Sequence, residues 1–330
     1  MKALVFEGAH AMRYRDEPDP HVAPGEVLVR IEAVGICGSD LHAYHGLDPR
    51  RSPPVVLGHE AVGHIASGPE KGRRVALNPL IACGHCRPCV AGRTNLCNAR
   101  QQFSVHRPGA FAELLAVPRG NLLDIPVGLD SVTAALAEPT AVALHAVNRA
   151  QCHLDMDLAD IRALVIGGGS IGLLCALLLQ KHDAREVCLA DTNALRRATA
   201  IRAGVREISE PADNGELLRG RFDLVMDAVG TAITRQTAMD AVRPGGVIVH
   251  IGLAGAIGGL DCVALTRNEV AFVGTARSTA ADLQEAINML HRGDLATESW
   301  LDTWPLAAGS EAFAQIDGGR TSAAKVVLVP

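Results

Sequence analysis

The sequence predicts a two-domain α/β protein: an irregular, β-rich unit first, then a doubly wound parallel sheet. Three observations carry this. At 330 residues the chain has room for two domains of ~150 residues. From Arg162 onward short apolar strands alternate with helices, which implies a parallel sheet covered on both faces. Before residue 140 the chain is instead rich in Gly, Pro and β-branched residues.

The elements follow in order. "GEVLVRIEAVGIC" alternates apolar and polar positions from Val27, as a half-buried strand does. "RRVALNP" and "GAFAELLAVP" read as further strands with prolines at their ends. Near residue 140, "TAVALHAVNRA" turns helical. The parallel sheet is expected from "ALVIG", "EVCLA", "FDLVMD", "GGVIVHIG" and "EVAFVG". Its covering helices are "IGLLCALLLQKH", "ALRRATAIRAG" and "TAITRQTAMDAV". After Gly274 come a helix, "AADLQEAINMLHRG", and a closing strand, "AAKVVLVP", expected to return to the first domain. The expected division is 1–140 with 277–330, and 141–276.

Composition removes several function classes. Aromatic residues are 3%, so Val, Leu, Ile and Ala must fill the core. A formal charge of −5 leaves no basic footprint, and no Lys/Arg cluster adjoins an aromatic platform, so no nucleic-acid partner is expected. The apolar run in "MKALVFEG" stops at Glu7, too short for a signal-peptide core. The longest uncharged apolar stretch, residues 163–180, carries four glycines and reads as strand, turn and helix, not a membrane span. A cytoplasmic location without membrane attachment is the expectation.

"CGHCRPCVAGRTNLC" gathers four of the nine cysteines into residues 83–97. Disulfides seldom persist in a reducing cytosol. Cys83, Cys86, Cys89 and Cys97 are spaced so that one loop wraps a tetrahedral ion, and Zn²⁺ accepts four thiolates. A [4Fe–4S] cluster is the rival, but its usual runs are spaced differently. Such a zinc has no vacant position and serves structure. Cys152, Cys175, Cys188 and Cys262 lack partner spacing and are expected to be buried.

"VIGGGSIG" follows a strand and opens a helix, with Gly167, Gly169 and Gly172 in G-x-G-x-x-G spacing. The first glycine allows the turn, the second lets a pyrophosphate approach, and the third lets helix and strand pack. The helix N-terminus then faces the phosphates. Asp191 ends the next strand, where an acid accepts from a ribose hydroxyl and repels a 2′-phosphate, favouring NAD over NADP. Arg196 softens that preference, since it could meet a phosphate or pack on adenine, and the bland alternative for Asp191 is a helix N-cap.

Three separate stretches carry a second donor set. "GICGSDLH" holds Cys37, Ser39, Asp40 and His42; "LGHEAVGH" holds His59 and Glu60; "LAEPTAV" holds Glu138. A thiolate, an imidazole and a carboxylate make a three-ligand zinc site with one open position, the catalytic arrangement. Read one by one, these residues also fit bland roles: a core cysteine, a surface histidine, a helix-capping Asp40.

Taken together, the C-G-S-D-x-H stretch, the G-H-E stretch, the cysteine lobe and "VIGGGSIG", in that order, resemble the zinc-dependent medium-chain alcohol dehydrogenase family along the whole chain. "EPTAVALHA" resembles its sorbitol (polyol) and threonine dehydrogenase branch, with Glu in place of a ligand cysteine. The resemblance implies a GroES-like catalytic domain, a Rossmann domain, two zinc ions and NAD. It implies Cys37 and His59 as catalytic-zinc ligands and Glu138 as the third ligand or a water-holding carboxylate, with Glu60 ligating directly or standing behind them. Asp40 would orient His59. Ser39 and His42 would relay the alcohol proton. Ile171, Asp191, Arg196, the turn Ile251, Gly252, Leu253, and Thr275 to Arg277 would contact NAD, with Arg277 also near substrate.

The implied activity is reversible oxidation of a secondary alcohol, a polyol or sugar-like one first. Threonine, a simple secondary alcohol and a non-catalytic zinc- and nucleotide-binding protein are the alternatives. A homodimer or homotetramer through the strand near "AFVG" is also implied. One departure is visible: Gly63 and Gly68 enclose four residues where the family usually has five. That puts the local strand ends in doubt, not the ligands.

Overall fold

The computed structural model describes residues 1–210 and 219–330. In chain order its first ten strands are β1 (Lys2–Gly8), β2 (Ala11–Asp16), β3 (Glu26–Gly35), β4 (Val55–Val56), β5 (Glu60–Ile65), β6 (Arg74–Leu77), β7 (Leu80–Ile81), β8 (Gln101–Gln102), β9 (Leu114–Pro118) and β10 (Leu122–Asp124). β2, β1 and β4 form one small sheet, and β7 pairs with β8. The larger sheet runs β10-β6-β5-β3, with β9 also on β3.

β3 shows how sequence sets this half. Val27, Val29 and Ile31 face the core while Arg30 is exposed, the period-two pattern of a strand. A bulge between Ile31 and Ala33 breaks the register against β5. Beyond it Ala33, Val34 and Gly35 are all buried, because the strand end is covered on both faces. The expected strand "GAFAELLAVP" is shorter than its pattern: Gly109, Ala110 and Phe111 donate instead to the backbone of Val56, Gly58 and Leu57. The short connection after Gly63 closes as a tight hairpin, with Gly72 N–H on Ile65 O at 2.9 Å and Ile65 N–H on Arg73 O at 3.0 Å.

The second half holds β11 (Arg162–Ile166), β12 (Glu186–Ala190), β13 (Glu207–Ser209), β14 (Phe222–Asp227), β15 (Val242–His250) and β16 (Ala271–Gly274). They form one parallel sheet in the order β13-β12-β11-β14-β15-β16. Ala163 to Ile166 are all buried, the continuous apolar run of a strand covered on both faces. The chain leaves β11 in one direction and returns to β14 on its other side. A crevice opens at such a switch point, where ligands bind doubly wound sheets.

The last two strands are β17 (Leu301–Pro305) and β18 (Lys325–Val329). β18 pairs antiparallel with β3, and parallel with β17, so the chain's end returns to the first sheet. The helix Ala280–Arg292 is capped by Thr279 and stopped by Gly293 in the left-handed conformation. It packs on the helix Ala137–Gln151. One apolar cluster runs from Ala33, Val62 and Val327 of the first sheet to Val165, Leu224 and Val249 of the second. Of the four unpaired cysteines, Cys175 and Cys188 are buried, whereas Cys152 and Cys262 are exposed at helix ends, contrary to expectation.

Candidate metal centres and cofactor cleft

The sulfurs of Cys83, Cys86, Cys89 and Cys97 all lie within 4.8 Å of one another, and none forms a disulfide. Cys86 and Cys89 are 3.4 Å apart, Cys83 and Cys89 4.0 Å. A tetrahedral Zn²⁺ with bonds of ~2.3 Å separates its sulfurs by about 3.8 Å, so the lobe fits the ion. The electrostatics agree. Backbone N–H groups of His85 and Cys86 draw the Cys83 thiol down to about 6, while burial and the neighbouring thiols push Cys89 up to about 12. Four thiolates cannot coexist here without a cation to compensate them.

The second donor set forms where β3 ends, β5 begins and a short helix starts. One donor atom each from Cys37, His59 and Glu60 lies within 4.8 Å of the other two. Cys37 caps the helix Gly38–Tyr44, and the Asp40 Oδ2 accepts the Cys37 N–H at 3.1 Å. Asp40 Oδ1 lies 3.6 Å from His59 Nδ1, a charge contact longer than a hydrogen bond. One oxygen of Asp40 thus faces the helix start and the other faces His59. Burial works against ionised Asp40 and protonated His59. Their mutual attraction outweighs it, holding Asp40 below and His59 well above the ordinary values. Glu60 Oε1 is buried without a hydrogen-bond partner. An orphaned carboxylate oxygen beside a cysteine and a histidine is the donor set of a zinc ion.

Glu138 does not join that trio. It stands in the first turn of the helix Ala137–Gln151. Burial pushes its carboxyl up to about 7, with His59 and Lys325 pulling down and Glu60 and Asp40 pushing up. It thus faces the same space from a neighbouring element. Two residues went unread in the sequence. Lys325 Nζ meets Glu60 Oε2 at 2.5 Å and Ile36 O at 3.0 Å, fully buried. Arg51 lies beneath the helix Gly38–Tyr44, donating to Ser39 O, to Ser39 Oγ at 3.3 Å and to Ser104 O at 3.0 Å. A lone lysine in the apolar "AAKVVLVP" was the signal for the first; "PRRSPP" carries none for the second. A methyl group at Gly35 would fall 2.1 Å from Glu60 Oε2, so the close strand beneath the site requires glycine there. His42 is half-buried in the last turn of the same short helix.

The glycine turn lies at the carboxyl end of β11. A Cβ on Gly172 would stand 1.8 Å from Gly167 O, which is the close helix–strand packing the motif needs. A Cβ on Gly169 would meet nothing within 4 Å, and the helix Ser170–Lys181 that it caps has no side-chain cap. Free N–H groups facing open space suit a pyrophosphate. Ile171 is half-buried in the first turn. Asp191 is buried, accepting from Gly168 N–H and Asn193 N–H, each at 2.6 Å. Asn193, not Asp191, caps the next helix. Arg196 Nη1 stands 3.8 Å from Asp191 Oδ2.

Across the crevice Ile251 and Gly252 donate to Asp227 O at 2.9 and 3.0 Å, leaving Leu253 exposed. Thr275 donates to His250 O at 3.2 Å, and its buried Oγ1 has no partner. Arg277 holds a left-handed backbone, φ 60°, a strained conformation for a long side chain. Burial and the guanidinium groups of Arg100 and Arg50 lower its pKa, while Glu138 opposes them. Arg277 therefore shares its electrostatic surroundings with Glu138.

Comparison with known proteins identifies the family. Residues 23–127 match the family described as the alcohol dehydrogenase GroES-like domain, and residues 170–292 match zinc-binding dehydrogenase. An L-galactonate-5-dehydrogenase of Escherichia coli K12 is 31% identical over 95% of this chain and 94% of its own. An L-threonine 3-dehydrogenase of Mesorhizobium japonicum is 35% identical over 77% of each chain. A solved alcohol dehydrogenase of Escherichia coli CFT073 in complex with NADH superposes with a TM-score of 0.89 at 26% identity, covering 100% of this chain and 99% of the other.

Proposed function

The chain belongs to the zinc-dependent medium-chain dehydrogenases, polyol and threonine branch, and from that premise we propose that it oxidises a secondary hydroxyl of a polyol or sugar acid. It is an oxidoreductase that uses NAD and two zinc ions. What supports the substrate reading is electrostatic: Arg277 feels the guanidinium groups of Arg100 and Arg50 and the carboxylate of Glu138, so these cations form a positive cluster on the Glu138 side of the site. A carboxylate at one end of the substrate pairs with that cluster while a hydroxyl reaches the donor set. The sugar acid in one relative's name and the threonine in the other's share this chemistry, an acid bearing a secondary hydroxyl. Threonine is the second reading, favoured by that relative's identity.

When bound, the metal supplies a Lewis acid for the alcohol oxygen and NAD⁺ supplies the hydride acceptor. The rest falls to the chain. Cys37, His59 and a carboxylate from Glu60 or Glu138 hold the ion. Asp40 fixes the orientation of His59 from behind. Arg51 can only donate, so it occupies a lone pair of Ser39 Oγ and leaves the Ser39 proton free to point into the cleft. Ser39 then takes the substrate's proton as it gives its own towards His42. Gly169 and the start of its helix hold the pyrophosphate, and Asp191 accepts from the adenosine ribose. The working form is a homodimer or homotetramer in the cytoplasm. No helix among the described residues is long and apolar enough to cross a membrane.

NADH formation at 340 nm, measured across aldonates, neutral polyols, threonine and short secondary alcohols, tests this. We expect highest kcat/KM with an aldonate and loss of turnover on chelation. Arg277→Met should raise KM for the aldonate about tenfold, ~1.4 kcal/mol, and leave neutral polyols nearly unchanged. Preference for uncharged short alcohols would overturn the substrate assignment.

A further inference from the structure

We propose a third metal site, for a divalent transition ion such as Zn²⁺, at His10, His45 and Asp317 on the outer face of the first domain. One donor atom from each lies within 4.8 Å of the others. His45 Nε2 is 2.5 Å from Asp317 Oδ1, and His10 Nδ1 is 3.7 Å from Asp317 Oδ2. Two imidazoles and a carboxylate bind zinc through three protein ligands and leave the remaining positions to water. Tetrahedral zinc separates N and O donors by about 3.4 Å, so the shorter contact opens and the longer closes by less than about 1 Å.

The three residues come from separate elements, and each is held by its backbone. His10 sits in the turn between β1 and β2 with φ 57°. That left-handed conformation is uncommon for histidine, and the His10 N–H donates to Tyr44 O at 2.7 Å, which pins it. His45 is the C-cap of the helix Gly38–Tyr44. Asp317 ends the helix Gly309–Asp317, where the partial negative charge of the helix makes an acid unfavourable without a facing cation. Beneath the cluster a buried platform joins the same elements. The Tyr44 ring meets His10 edge-on at 5.0 Å and Phe313 at 5.3 Å. The donors are preorganised, exposed enough to take an ion from solution, and placed where negative potential gathers.

The consequence reaches the catalytic machinery through one element. His45 closes the short helix that carries Ser39, Asp40 and His42. An ion here staples that helix to the N-terminal hairpin and the C-terminal helix.

The test uses holoenzyme already carrying two zinc ions per chain by metal analysis. Zn²⁺ is titrated calorimetrically. We expect a third equivalent per chain. His10→Asn, which tolerates the left-handed backbone, and Asp317→Asn should each weaken the third equivalent at least tenfold. Both should retain the first two zinc ions and NAD-dependent turnover, which also shows that they fold. A wild-type titration that stops at two equivalents, or a third equivalent that survives in the folded variants, overturns the site.

Discussion

Lys325 shows what a single side chain does in this site. The residue is 2% exposed, and burial alone would lower its pKa, but Glu60 and Cys37 hold it raised and charged. It fixes one oxygen of Glu60 and leaves the other for the metal. Lys325→Met removes that partner and strands a buried carboxylate, a loss of about 3–5 kcal/mol by urea denaturation of the metal-free protein. Loading zinc should recover part of it. Glu138 gives a pH signature of opposite sense to an ordinary acid. Its carboxyl titrates at about 7 when folded, against 4.5 in the unfolded chain. Between those values the folded state binds more protons, so stability falls as pH rises through the window. Melting of the chelated protein between pH 4.5 and 7 should show this decline, and Glu138→Gln should flatten it. Cys37 and His59 were legible because their short motifs are specific. Lys325 and Arg51 were not, because a charge becomes informative only when the fold shows what it is buried against.

At the scale of elements, periodicity placed β3, β6, β11, β12 and β14 and every helix it named. It overran at β9, where Gly109 to Phe111 alternate suitably yet bond to a neighbouring loop. It also missed β1, β2 and β17, whose pairing partners are set by the tertiary fold more than by their own patterns. The cysteine lobe was the clearest element in the sequence, but its reach was not. Asn95, inside the lobe, donates to Ala276 O at 3.1 Å, in the turn that positions Arg277. Losing the lobe's ion should therefore be felt at the substrate. Cys97→Ser should expose the 83–97 loop to limited proteolysis. It should also lower kcat/KM roughly tenfold, a ~1.4 kcal/mol effect, before the rest of the protein unfolds. Unchanged kinetics with a cleaved loop would separate the lobe from the site.

Over the whole molecule, the exposed surface of the nucleotide-binding half asks for a partner. β16 is the terminal strand of its sheet, pairing only with β15 among the described residues. An open parallel edge presents unpaired N–H and C=O groups that natural proteins normally cover. Loops and helices of the same half expose Ile233 at 78%, Ile257 at 87% and Val263 at 58%. Scattered apolar residues are ordinary on a surface, but an unpaired strand edge with exposed apolar residues in the same half is what the proposed self-association would use. A second copy related by a twofold axis would bring β16 against its own counterpart, running antiparallel, and extend the six-stranded sheet across the dimer. Sedimentation velocity should then show a dimer or a larger even assembly at micromolar concentration. Ile257→Asp with Val263→Asp places two charges against their twofold copies. It should weaken association at least 100-fold, about 2.7 kcal/mol, while circular dichroism and zinc content stay unchanged. A wild-type protein that sediments as a monomer would instead leave the β16 edge to a different chain.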